Sequence, residues 1–284
     1  MRKHALQVGF LLALAVVLLL LGACSGRGPR FGSPGELLWH YRMGGAIHSS
    51  PTAVNGVIYF GSNDHNVYAL DSDSGEILWR YLTGREVRGS PTVSDGTVFI
   101  GSEDGHLYAL DAESGELRWR YRAGGLMWSR PAVADGVVFG STQARGDHLF
   151  ALDAEDGSLI WLFRTGFFEG SSPVVSKGVV YVGSYGSGGR QYALDAATGK
   201  VLWSFLAGYP YSCGSEPGSD HSAEVGGGVL FFGSHDGYIY AIDAETGKRH
   251  WRFNANGRIC SSLTEENGIV YFSTLEELIG MIRI

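Results

Sequence analysis

From residue 48 onward, short apolar runs alternate with polar breaks rich in Gly, Asn and Asp. Residues 48–79 hold one full cycle. A first run covers 50–54 and breaks at Asn55-Gly56, a dipeptide that favours a two-residue hairpin turn. A second covers 57–61 and ends at Asn63-Asp64-His65-Asn66. A third covers 67–71, and a fourth follows Ser74-Gly75 over 76–81. Runs this short, bounded by such turn residues, are strands rather than helices. Ala69 and Asp71 stand two apart and so share a face of the third strand.

The cycle recurs along the chain. Tryptophans at 39, 79, 119, 161, 203 and 251 are spaced by 40, 40, 42, 42 and 48 residues. Five of them close an eleven-residue phrase: Ala69, Asp71, Gly75, Trp79; Ala109, Asp111, Gly115, Trp119; Ala151, Asp153, Gly157, Trp161; Ala193, Asp195, Gly199, Trp203; and Ala241, Asp243, Gly247, Trp251. Strand ends such as Tyr59-Phe60-Gly61-Ser62 and Phe99-Ile100-Gly101-Ser102, and openings such as Ser50-Pro51-Thr52 and Ser90-Pro91-Thr92, recur with it. Four antiparallel strands in each period of about 40–45 residues describe a propeller blade. Residues 261–284 supply three strands of a last blade, and residues 35–43 are an orphan fourth strand with the right Gly and Trp. The sequence predicts an all-β, six-bladed β-propeller of four-stranded antiparallel blades, closed by the N-terminal strand completing the last blade. An open solenoid would instead leave both partial units unpaired.

The Ala-x-Asp-x-x-x-Gly-x-x-x-Trp phrase resembles the tryptophan-docking motif of the PQQ-like β-propeller repeat. That family includes quinoprotein alcohol dehydrogenases and BamB-like lipoproteins of outer-membrane-protein assembly, and the likeness covers residues 35–284. It implies that Trp39, Trp79, Trp119, Trp161, Trp203 and Trp251 each lie against the glycine turn of a neighbouring blade. A large flat indole suits a bare glycine backbone and leaves its N–H for a carbonyl. Residues repeated in every blade are expected to be structural.

Composition agrees with this. Gly numbers 43, while 14 Tyr, 14 Phe and 7 Trp with 44% hydrophobic residues supply a sizeable core. A net charge of −7 argues against nucleic acid as a partner. Residues 1–23 have a basic start and an apolar stretch from Val8 to Ala23, as in a secretory signal peptide. The apolar stretch is shorter than the ~20 residues needed to span hydrocarbon. Leu21-Gly22-Ala23-Cys24 resembles a bacterial lipobox, which implies lipidation of Cys24. Removing residues 1–23 leaves 20 basic and 29 acidic residues, a net of −9 (22 − 2 = 20; 20 − 29 = −9). Residues 24–34, rich in Gly, Ser and Pro, form a flexible tether, and 35–284 form the propeller. An extracytoplasmic location is expected: the periplasmic side of an outer membrane, favoured by Ser25 on lipoprotein sorting rules, or the outer face of a single cell membrane.

Positions that the repeats do not hold constant are the candidates for function. On the face formed by the inter-blade loops and the turns between strands two and three, the near-axis residues are His48, Arg88, Trp128, Gly170, Asp220 with His221, and Cys260. His48, Arg88, Trp128, Asp220 and His221 are the candidate binding residues, since ligand sites gather convergent polar groups in a concavity. His65, His106, His148 and His235 fall in polar turns, which need such residues anyway. The 48-residue step places an insertion at 209–218 above this face. It carries Cys213, for which a disulfide to Cys260 of the adjacent blade is expected. Two free thiols or a metal pair are the alternatives.

Three functions compete. The family's dehydrogenases have eight blades, a vicinal disulfide and a calcium ligand set, whereas this chain has six blades and no adjacent cysteines. Glu224 and Asp220 alone are not a calcium cage of six or more oxygens. No cofactor, metal or enzymatic activity is therefore expected. The favoured reading is a lipid-anchored, non-catalytic protein-interaction scaffold, working as a single propeller with protein partners of the cell envelope. The remaining alternative is a binder of sugar or envelope polymer.

Overall fold

The computed structural model describes residues 36–143, 148–164, 171–184, 189–207, 222–234, 236–257, 259, 261–274 and 279–283. Met1–His40 and Tyr41–Ile284 separate into two units, and the second carries every strand. Blade 1 consists of β1 (Thr52–Val54), β2 (Val57–Gly61), β3 (Asn66–Asp71) and β4 (Ile77–Leu82). Blade 2 has β5 (Thr92–Ser94), β6 (Thr97–Gly101), β7 (His106–Asp111) and β8 (Leu117–Arg122). Blade 3 has β9 (Ala132–Ala134), β10 (Val137–Ser141), β11 (His148–Asp153) and β12 (Leu159–Arg164). Blade 4 has β13 (Val174–Ser176), β14 (Val179–Ser184), β15 (Arg190–Asp195) and β16 (Val201–Leu206). Blade 5 has β17 (Glu224–Gly226), β18 (Val229–Gly233), β19 (Tyr238–Asp243) and β20 (Arg249–Asn254). Blade 6 has β21 (Thr264–Glu266), β22 (Ile269–Ser273) and β23 (Ile279–Arg283).

Each blade is an antiparallel meander in chain order, and the first strands of successive blades lie side by side from β1 to β21. The first five sheets have four strands and the sixth has three. Here the structure departs from the expectation for residues 35–43. Residues 36–43 carry no strand, and no pairing to β23 is present among the described residues. A strand needs a partner ladder as well as the right side chains, and the Gly-x-x-x-Trp spacing reports only the side chains.

The repeated phrase is explained by one local geometry. Ala69 pairs with Trp79, and the register slips between Ala69 and Leu70; the same pairing and slip recur at Ala109, Ala151, Ala193 and Ala241. The Asp then closes the turn. Asp71 Oδ1 accepts the N–H groups of Asp73 and Ser74 at 3.1 and 2.8 Å, while its carbonyl accepts the Gly75 N–H at 2.9 Å. Gly115 shows why the glycine is required. Its φ is +73°, and a Cβ there would come within 2.6 Å of the Trp79 ring.

The core is split into layers between blades. Trp79, Trp119, Trp161 and Trp203 each lie against the glycine of the next blade: Gly115, Gly157, Gly199 and Gly247. Their indole N–H groups donate to the carbonyls of Ala112, Ala154, Ala196 and Ala244 at 2.8–3.0 Å. An aromatic ring of the second strand tilts against each Trp, as in Phe99–Trp119 at 5.7 Å and Tyr181–Trp203 at 6.0 Å. Trp79, Trp119, Trp161 and Trp203 thus join one blade to the next. Trp251 has an equivalent neighbour, Phe231, at 5.9 Å, and is half-buried, as is Trp203. Trp39 belongs to the other unit.

Candidate functional site

The loops leading into the blades and the turns between second and third strands meet at one end of the strands. Asn63 donates its N–H to the Ala46 carbonyl at 2.9 Å, and Glu103 to that of Glu86 at 2.9 Å. Leu126 and Gln143 exchange backbone bonds at 3.1 and 2.7 Å. Val87 also donates back to Ser62 of the preceding blade at 3.1 Å. The second loop is therefore fixed between two turns, which sets the side chain of Arg88 over the junction of blades 1 and 2.

Glu103 organises what stands there. Its side chain is only 6% exposed, and its Oε2 lies 3.5 Å from Arg85 Nη2. Its Oε1 accepts the Trp128 indole N–H at 2.9 Å and pairs with Arg88 Nε at 3.1 Å. Arg88 Nε also lies 3.3 Å from Asn63 Oδ1, and its guanidinium carbon is 5.9 Å from the centre of a Trp128 ring. A carboxylate so deeply buried would be costly without partners. Here it gains two guanidinium groups and an indole, and in return it holds an arginine and a tryptophan side by side, with the guanidinium over the indole ring. Arg85 also approaches Glu86 at 3.6 Å. The Glu86 carboxyl is held below its ordinary value by its own backbone N–H first, against the effect of burial, and then by the charges of Arg85, His65 and Arg88.

Of the residues singled out by sequence, Arg88 and Trp128 are thus brought together across three blades. His48 is half-buried in the loop of blade 1, with no bond to this cluster among the described residues. Asp220 and His221, the pair Cys213 and Cys260, and Cys24 lie outside the described residues. The turn histidines that are described behave as turn residues. His65 has a φ of +72°, and His106 Nδ1 lies 3.2 Å from the turn carboxylate of Asp104. Asp64 and Asp104 are raised by burial, but bonds from Tyr68 and Asn66, and from Tyr108, Gly84 and His106, hold both below the ordinary value.

Sequence reasoning missed Glu103 as an organiser, because it reads as one more polar turn residue. One signal was available. Asn63 to Arg88 and Glu103 to Trp128 are both 25 residues apart. That spacing links the turn of one blade to the loop leading into the next.

Elsewhere, Glu224 on β17 is raised by burial and by the charge of Glu265 on β21. Among the described residues, no three His, Cys, Asp or Glu side chains converge as metal ligands.

The model of the family described as outer membrane protein assembly factor BamB matches residues 31–87, 63–206 and 187–283. The chain belongs to this family. No curated protein matches it by sequence. Among solved structures, BamB from Moraxella catarrhalis is similar with a TM-score of 0.56 and 18% identity, over 88% of this chain and 87% of that one. The quinohemoprotein alcohol dehydrogenase ADHIIG from Pseudomonas putida HK5 gives 0.63 and 17% identity, over 82% of this chain and 51% of that one. A europium-containing methanol dehydrogenase gives 0.63 and 18%, over 79% and 54%. The chain spans about half the length of the dehydrogenases it matches. At these identities the likeness is one of fold, shared by an assembly factor and by enzymes.

Proposed function

We propose that this chain is a lipid-anchored, extracytoplasmic scaffold that binds protein partners of the cell envelope and catalyses no reaction. Family membership supports an envelope role, and the observation that carries the reading is the Arg88–Glu103–Trp128 cluster. Arginine and tryptophan are the residue types most often found as binding hot spots, and pre-ordering them lowers the cost of immobilising them on binding. Here both are locked by a buried acid at positions that differ from blade to blade, so blade packing alone does not explain them.

The anchor is Cys24. The candidate face extends to His48, Asp220 and His221, with a Cys213–Cys260 disulfide bracing its insertion. Closure of blade 6 would require residues 35–43 to pair with β23, a ladder that the described residues do not show. The dehydrogenase reading is weaker. The described donor set offers one raised carboxylate, Glu224, near one other, Glu265, and no converging trio for a metal beside a quinone.

Capture of partners by the mature lipidated protein from a detergent extract of the envelope tests the proposal. Specific protein capture that Trp128→Ala abolishes is the expected result. Capture of glycan alone would point to the polymer-binding reading. A rise in Tm with PQQ and calcium would point to the dehydrogenase.

A further inference from the structure

The same cluster also indicates what its partner must present. Three acids of this rim are engaged inward, and a fourth, Glu86, lies 3.6 Å from Arg85. Glu103 takes Trp128, Arg88 and Arg85. Asp104 accepts the Gly84 N–H at 2.8 Å and the Tyr108 hydroxyl at 2.6 Å. Asp64 accepts the Tyr68 hydroxyl at 2.8 Å and the Asn66 N–H at 3.1 Å. Arg88 is engaged through Nε alone, while Arg85 makes two long pairs, Nη2 to Glu103 at 3.5 Å and Nε to Glu86 at 3.6 Å. Arg88 is fixed through Nε, and among the described residues nothing accepts from its Nη1 and Nη2. Arg85 is 54% exposed and touches Glu103 only at 3.5 Å, a long pair near a water-facing surface.

We propose that Arg88 and Arg85, beside the Trp128 ring, form a subsite for a carboxylate on the partner, supplied by an acidic side chain with an apolar neighbour. An arginine held by its Nε keeps a planar two-donor edge that matches the two oxygens of a carboxylate. Because Asn63 and Glu103 already hold the guanidinium plane, little ordering remains to be done on binding. The adjacent indole offers an apolar face for the neighbouring side chain. This inference rests on the reading of the loop face as a protein-binding face, and it specifies the chemistry of that face.

The test uses the full mature chain and two capped dipeptides, N-acetyl-leucyl-aspartate amide and N-acetyl-leucyl-asparagine amide, followed by the NMR signals of the Trp128 indole N–H and Arg88 Nε–H. The aspartate peptide should shift both signals with a Kd of about 1–10 mM, and the asparagine peptide should bind about tenfold more weakly. Arg88→Lys, which keeps the charge and loses the fork, should weaken the aspartate peptide about fivefold or more. Arg85→Gln, at an exposed position, should weaken it two- to threefold and guards against an Arg88 variant that fails to fold. Equal affinity for the two peptides, or no shift with either up to about 50 mM, overturns the proposal. A captured protein partner that needs Trp128 but is not displaced by the aspartate peptide would overturn this inference and leave the binding-face reading standing.

Discussion

Blades 2 and 3, and blades 5 and 6, meet around the same tryptophan and differ in what lies over it. At Trp119 the next blade presses Gly157 onto the indole, and the Ala154 carbonyl takes its N–H at 3.0 Å. The space beside it, bounded by Phe99, Arg118, Val133 and Ala154, is a cavity of about 240 Å³. At Trp251 the corresponding groove, bounded by Phe231, His250, Glu265 and Gly226, holds about 510 Å³. Glu265 takes the place of Val133, and Gly226 lets the carboxylate lie close, since a Cβ there would come within 2.6 Å of it. The docking tryptophan is therefore half of a joint. It is docked where a glycine turn covers it, as at Trp119, and borders an open groove at Trp251, where none of the described residues covers it.

The largest expected effect comes from the segment proposed to complete the joint. On that closure, deletion of 35–43 should aggregate the domain or abolish its cooperative unfolding, because it would leave β23 as an open edge. A soluble truncated chain with an unchanged melting curve would break that reading. Next, Trp119→Ala should cost about 3–5 kcal/mol, the cost of emptying a large aromatic site in a packed core. In the same calorimetric series Trp251→Ala should cost less than half as much if its groove is open, and the same amount if a turn covers it.

A smaller effect should appear in acid. The turn carboxylates of Asp71, Asp195 and Asp243 sit below their ordinary value. The dominant causes are the Ser74 backbone N–H at Asp71 and the hydroxyls of Thr198 and Thr246 at the other two. A native value below the unfolded one adds stability above the unfolded pKa of ~3.9, and that stability is lost as pH falls through the native value. Tm should therefore be flat from about pH 7 to 5 and fall below about pH 4. Asp243→Asn should fall less steeply than the parent chain. The smallest effect is a gain. Gln191 is 4% exposed, its amide nitrogen has no partner among the described residues, and Leu107 and Leu149 hold this register in blades 2 and 3. Gln191→Leu should raise stability by about 1 kcal/mol by removing an unmet donor. A fall in denaturant midpoint would mean that the amide is bonded.

How far the sequence could be read follows from the same contrast. Trp79, Asp111 and Gly157 were legible because five blades set the same packing problem and solved it with the same residues. Contacts within a period, such as the Asp71 turn, follow from spacing. The Glu103 cluster did not announce itself, since it joins a turn of blade 2 to loops leading into blades 2 and 3, and only the ring brings them together. Arg88 and Trp128 stand out in the sequence by their failure to repeat, which marks a position as free to serve something other than packing without saying what. Residues 35–43 carry the repeated Gly and Trp, yet the described part, 36–43, forms no ladder, because a strand is a property of two segments.

The central claim is that repeated residues build the propeller and unrepeated ones bind. Its most direct test sets Trp128→Ala beside Trp119→Ala, with Tm and partner capture measured on both. Trp128→Ala should lose at least tenfold in capture while its Tm falls by no more than about 2–4 °C. Trp119→Ala should lose about 6–20 °C in Tm and capture normally at temperatures where it remains folded. Undiminished capture by Trp128→Ala, or a loss of stability equal to that of Trp119→Ala, would contradict the account.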